Sequence, residues 1–158
     1  MVAERIRKRV AAQLKPGKTA LIVVDVQNDF CHSKGAFGER GFDLSQAEPA
    51  VNNLLALIDR CRQFNVPIIF VQTVHSNWTD SDAWSGRLEG AGGEMMICRS
   101  GSWGAEFYKV RPRKSDFIVT KHRFSGFVAT DLNLVLRSRG IETLLMTGVA
   151  TNVCVETT

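Results

Sequence analysis

The 158 residues suffice for one domain with its own core, and 44% of them are hydrophobic, the usual share for a globular chain. No apolar run reaches the roughly 18–20 residues that span a bilayer, and "MVAERIRKRVAAQLKPGK" lacks the apolar core and small-residue cleavage site of a secretory signal. The net charge of +4 is uneven, with +5 on residues 1–18 and −1 on the other 140, which is weak ground for nucleic-acid binding.

Residues 1–18 read as a basic N-terminal extension ahead of a domain spanning 19–158. Within it, Ile6, Val10 and Leu14 recur every four residues. That spacing predicts a short amphipathic helix packed on the body or on a partner subunit. "TALIVVDV" (Thr19–Val26) is a continuous apolar run of the kind buried inside parallel sheets. A helix follows in "EPAVNNLLALIDRCRQF", where Val51, Leu54, Leu55, Ile58, Cys61 and Phe64 share one face and Pro49 fits the first turn.

"VPIIFVQT" (Val66–Thr73) reads as the second strand, "DFIVTK" (Asp116–Lys121) as the third and "ETLLMTGV" (Glu142–Val149) as the fourth. Between the second and third, residues 77–112 are rich in Gly, Ser and Trp and read as a long excursion, with a helical hint near Ala105–Tyr108. "GRLEGAGG" within it follows no strand and lacks the spacing of a phosphate loop, so a mobile loop is the natural reading. In "ATDLNLVLRSRG", Thr130 or Asp131 caps a helix, Leu132, Val135 and Leu136 face the core, and Gly140 ends it. Strands alternating with helices imply an α/β fold, a parallel sheet covered on both faces.

The four cysteines, Cys31, Cys61, Cys98 and Cys154, form no CxxC pair, and a chain of this size needs no disulfides. That usage implies a reducing, cytoplasmic setting.

Ligands of such sheets bind beyond the carboxyl ends of the strands. Asp25, Gln72 and Lys121 fall at the ends of strands one, two and three, and Cys154 lies just past strand four. Each has a plain alternative: a cysteine as apolar filler, a lysine as rim charge, an aspartate as loop cap. Together they suit acyl transfer. If Thr151 or Asn152 caps a helix, Cys154 lies in its first turn, where dipole and nearby cation favour the thiolate. The unpaired N–H groups there suit an oxyanion, Asp25 suits the proton transfers, and Lys121 would keep Asp25 ionised.

"ALIVVDVQNDF" (Ala20–Phe30), "KHRFSGFVATDL" (Lys121–Leu132) and "LRSRGIETLLMTGVATNVCVETT" (Leu136–Thr158) carry a specific resemblance. In order, spacing and character they resemble the isochorismatase-like cysteine hydrolases, and most of all ureidoacrylate amidohydrolases, then biuret and N-carbamoylsarcosine hydrolases. The resemblance implies a three-layer α/β/α sandwich and a catalytic triad of Asp25, Lys121 and Cys154. It also implies a cis peptide at Val149–Ala150 and an oxyanion hole made by the backbone N–H groups of Ala150 and Cys154. Phe30, Gln72 and Phe124 are placed to line the pocket, though each also reads as packing.

Zinc-binding members of that family carry Asp-x-His after the second strand, with a further His nearby. Here "QTVHSNW" puts Thr73 at the Asp position, and His32, His75 and His122 read as surface or rim residues, so no metal and no other cofactor is expected. The family continues past the thiol with two more helices and two more strands. The sequence therefore reads as a truncated or cleaved chain, with the C-terminal portion of the domain missing and the isolated polypeptide poorly folded and inactive. The implied activity is cleavage of a C–N bond in a small ureido, carbamoyl or carboxamide substrate, through an acyl-enzyme on Cys154 in a cytoplasmic homo-oligomer that binds neither nucleic acid nor membrane. Two alternatives are isochorismatase-type vinyl-ether hydrolysis, which needs no thiol, and a non-catalytic scaffold on the same fold.

Overall fold

The structure, a computed structural model, describes residues 2–86 and 97–158. Four strands, β1 (Thr19–Val24), β2 (Ile68–Thr73), β3 (Phe117–Lys121) and β4 (Thr143–Gly148), form one sheet in the order β3-β2-β1-β4, and every pairing is parallel. The register sets Val24 beside both Val71 and Gly148. Each strand is one or two residues shorter than its predicted run: β1 at its end, β2 and β3 at their starts, and β4 by one residue at each end.

β1 is buried along its whole length, and its alternate side chains divide between two cores. Leu21 and Val23 pack with Phe70 against α4 (Ala47–Gln63), which contributes Val51, Leu54, Ile58 and Cys61. Ala20, Ile22 and Val24 pack with Ile69, Val71 and Val119 against α6 (Leu132–Ser138), through Leu132 and Leu136. Period-two strands between two helical layers explain why β1 shows no polar alternation. The result is the expected α/β/α sandwich.

Several local expectations shift. Phe64 leaves the apolar face of α4 and is 74% exposed, because it is the C-cap residue and the helix has already ended. Gly140, at φ +61°, follows α6 as its C-terminal stop, a left-handed conformation that glycine adopts without steric cost. The helical hint near Ala105–Tyr108 becomes a single 3₁₀ turn at Trp103–Ala105, started by Ser102, whose hydroxyl accepts from the Ala105 N–H. "GRLEGAGG" lies, after its first glycine, outside the described residues.

The N-terminal helix forms as α1 (Val2–Gln13), but it does not pack on the body: none of its residues is buried, and Ile6 stays 55% exposed. Its attachment is polar and confined to its end. The Thr143 hydroxyl donates to the Gln13 carbonyl at 3.1 Å, and Lys15 and Lys18 reach Glu142 at 3.5 and 3.4 Å.

Three short helices complete the elements near the site. They are α2 (Asn28–Cys31), α3 (Ala36–Glu39) and α5 (Asp82–Gly86).

Candidate active site

β4 lies on the far side of β1 from β2 and β3, so the chain reverses its order of strand addition at β1. A crevice at the carboxyl ends is expected at such a switch point. Asp25 follows β1 there at φ +51°, in the left-handed region, and is fully buried. Lys121 ends β3 and is 1% exposed. Its ammonium lies 2.8 Å from Asp25 Oδ2, 2.7 Å from Thr73 Oγ1 and 3.1 Å from the Arg123 carbonyl. Three acceptors thus surround a group with three protons. Thr73, having accepted from Lys121, donates its own hydroxyl to Asp25 Oδ1 at 3.0 Å.

A neutral side chain braces this pair from below. Gln27 is fully buried; its amide donates to the Thr73 and Ala105 carbonyls and accepts from the Thr73 N–H, all at 2.8 Å. Asp29, two residues later, also holds backbone in place. Its carboxylate accepts from the Ala36 and Cys98 N–H groups at 3.0 and 2.6 Å, tying two loops together. A Cβ on Gly104 would lie 2.1 Å from that carboxylate, so only glycine lets the loop approach. Both side chains stand in the "DVQNDF" stretch, yet a Gln and an Asp in a loop carry no signal of burial until their partners are known.

After β4 the Val149–Ala150 peptide is cis, and Thr151–Val155 form a π-helical turn closed by the Val155 N–H on the Ala150 carbonyl at 3.2 Å. Cys154 sits in that turn, half-buried, near enough to Asp25 and Lys121 for both to act on its thiol. Burial raises the thiol, the Asp25 charge adds to this, Lys121 opposes it, and the outcome is about 12. This corrects the expectation that cation and helix terminus would favour the thiolate: desolvation wins, and the resting sulfur keeps its proton. Burial likewise raises the Asp25 carboxyl above the usual range, against the pull of Lys121. A more basic carboxylate beside a protonated thiol is the arrangement of a general base and its proton donor.

A cavity of about 220 Å³ opens onto Cys154 and Lys121. Phe30, Phe124 and Trp84 form its aromatic wall; Arg99 and Arg123 bring charge to it. Gln72 is not among the lining residues; its amide donates to Thr120 Oγ1 at 3.0 Å instead. His75 departs from its surface reading, because it is buried, lines the cavity and lies 3.4 Å from Asp80. His32 and His122 are half-buried; His122 Nδ1 meets the Val74 carbonyl at 2.6 Å. Trp84, Asp80, Arg99 and Arg123 had no sequence signal, since all but Arg123 fall in the irregular excursion. Among the described residues no group of three His, Cys, Asp or Glu side chains could hold a metal ion, and no helix is long and apolar enough to cross a membrane.

Known proteins share this framework. Ureidoacrylate amidohydrolase RutB of Pseudomonas savastanoi pv. phaseolicola is 35% identical over 159 residues, an alignment covering 92% of this chain and 65% of that protein. A crystal structure of a cysteine hydrolase from Pseudomonas syringae pv. phaseolicola superposes with a TM-score of 0.77 at 29% identity, over 92% of this chain and 65% of the other. N-carbamoylsarcosine amidase from Thermoplasma acidophilum gives 0.68 at 26% identity, over 88% and 72%. The chain thus spans about 65% of the length of the first curated relatives it matches. The isochorismatase domain model matches residues 19–158, from the first residue of β1 through the cysteine turn, and the chain belongs to that family.

Proposed function

We propose that the protein is a cysteine amidohydrolase acting on the C–N bond of a small ureido, carbamoyl or carboxamide substrate. The observation that carries this reading is the buried Asp25–Lys121 pair at 2.8 Å, with Cys154 near it and Lys121 and Cys154 lining one cavity. In the first step Sγ of Cys154 attacks the substrate carbonyl carbon while its proton passes to Asp25. The N–H groups of Ala150 and Cys154 hold the resulting oxyanion. Collapse breaks the C–N bond, and Asp25 returns the proton to the departing amine or ammonia, leaving a thioester or thiocarbamate. Water then gives a proton to Asp25 and its oxygen to the carbonyl carbon; the sulfur leaves and recovers its proton. Lys121 stabilises the carboxylate between these transfers, and Thr73 holds both groups in place.

Four cysteines without disulfide partners fit a reducing cytoplasm, and we read the enzyme as a cytoplasmic homo-oligomer. Support for the substrate class comes from the amidohydrolase and amidase relatives. The test is ammonia release from ureidoacrylate, biuret and nicotinamide by the protein and its Cys154→Ala variant. Turnover should fall by more than about 10³-fold. Undiminished turnover would remove Cys154 from the chemistry.

A further inference from the structure

Among the described residues, three cations line the cavity: Arg99, Lys121 and Arg123. Two of them are answered by carboxylates. Lys121 pairs with Asp25 at 2.8 Å, and Arg99 pairs with Asp80 while donating to Asn77 Oδ1 at 2.9 Å. Arg123 has no carboxylate partner among the described residues. Its Nη1 donates to the Thr79 and His122 carbonyls, at 3.0 and 2.6 Å, and its guanidinium lies 4.7 Å from the centre of the Trp84 ring. The cavity therefore holds one positive charge that the described residues leave uncompensated.

Lys121 is already committed to the protein: it pairs with Asp25 at 2.8 Å and donates to Thr73 Oγ1 and the Arg123 carbonyl. Arg123 differs. Two carbonyls occupy Nη1 and an aromatic face holds the guanidinium plane, so the Nε and Nη2 donors are presented on a fixed edge. That edge of a guanidinium matches the two oxygens of a carboxylate. Trp84 in turn packs on Phe124 at 5.1 Å, so the half-buried head group lies against an aromatic pair.

We infer that Arg123 is a specificity-determining residue that docks the carboxylate of the substrate, and that the substrate class is a small ureido or carbamoyl acid in its anionic form rather than a neutral amide. The identity of the scissile end rests on the amidohydrolase reading above; the anion preference rests on Arg123 alone.

The experiment compares N-carbamoylglycine with its uncharged methyl ester, using the full chain and its Arg123→Gln and Arg123→Lys variants. The parent should favour the acid. Arg123→Gln should lower kcat/KM for the acid about 10- to 100-fold more than for the ester, chiefly through KM, as expected for a lost charge-assisted contact. Arg123→Lys, which keeps the charge without the planar edge, should recover part of that loss. Equal losses on the two compounds, or a parent that favours the ester, would overturn the inference while leaving the amidohydrolase reading intact. If neither compound turns over, that reading fails instead, and equilibrium binding of the same pair to the parent decides this one. Binding of the acid at least tenfold tighter than the ester, abolished in Arg123→Gln, upholds it; equal or absent binding rejects it.

Discussion

β3 buries a lysine, while β4 leaves leucines half exposed. Along β3, Phe117 and Ile118 face solvent and Lys121 is 1% exposed. Along β4, Leu144, Leu145 and Met146 are all only partly covered. Hydrophobicity would order these residues the other way. On the β3 flank, burial follows the site: Thr73, Asp25 and the Arg123 carbonyl enclose the ammonium, and each is fixed by a strand or strand end. On the β4 flank, β1 pairs one edge of the strand, and a cleft of about 320 Å³ separates its carboxyl end from Val51, Leu54 and Leu57 of α4. Among the described residues the Asp25–Lys121 pair is therefore fully enclosed, while the strand that leads to the sulfur is half covered.

This contrast makes the two halves respond differently to change. The largest effect should come from Lys121→Met, which strands a buried Asp25 carboxylate. Removing one member of a buried pair costs about 3–5 kcal/mol. Denaturant unfolding should show that loss, together with loss of turnover; a stable but inactive variant would mean that the β3 flank is looser than its geometry implies.

A smaller effect is expected where the β4 flank is pinned. Gly148, at φ +119°, approaches β1 so closely that a Cβ would lie 2.0 Å from the Val24 carbonyl oxygen. Gly148→Ala should cost about 2–4 kcal/mol in the same unfolding experiment and displace the cysteine turn that follows. A neutral outcome would show that this margin gives way at little cost.

The mildest probe leaves the sequence intact. With its thiol raised to about 12, Cys154 carries more thiolate as pH rises toward that value. Alkylation by iodoacetamide should thus climb about tenfold per pH unit from roughly pH 8 to 10. A plateau above about pH 9 would indicate an ordinary thiol. Cys61, buried on α4, should react more slowly throughout.

Continuous apolar runs were enough to locate β1 and β2, because a strand covered on both faces shows no polar alternation. Val51, Leu54, Ile58 and Cys61 marked the buried stripe of α4 for the same reason: periodicity is a local property. Asp25, Lys121 and Cys154 were legible because strand ends of a parallel sheet gather at one rim. The charge state of the sulfur was not legible. It depends on how much water the surrounding side chains exclude, and spacing along a chain holds no measure of that. The same holds for Gln27 and Thr73, whose partners lie 46 to 78 residues away, and for His75, a rim residue by sequence and a cavity wall in space. Arg123 is the plainest case. Beside Lys121 in the chain it reads as one more basic residue. Folding pairs Asp25 with Lys121 and Asp80 with Arg99, lays Trp84 against the Arg123 guanidinium, and so leaves Arg123 without a carboxylate among the described residues, because electrostatic compensation is a matter of distances in three dimensions.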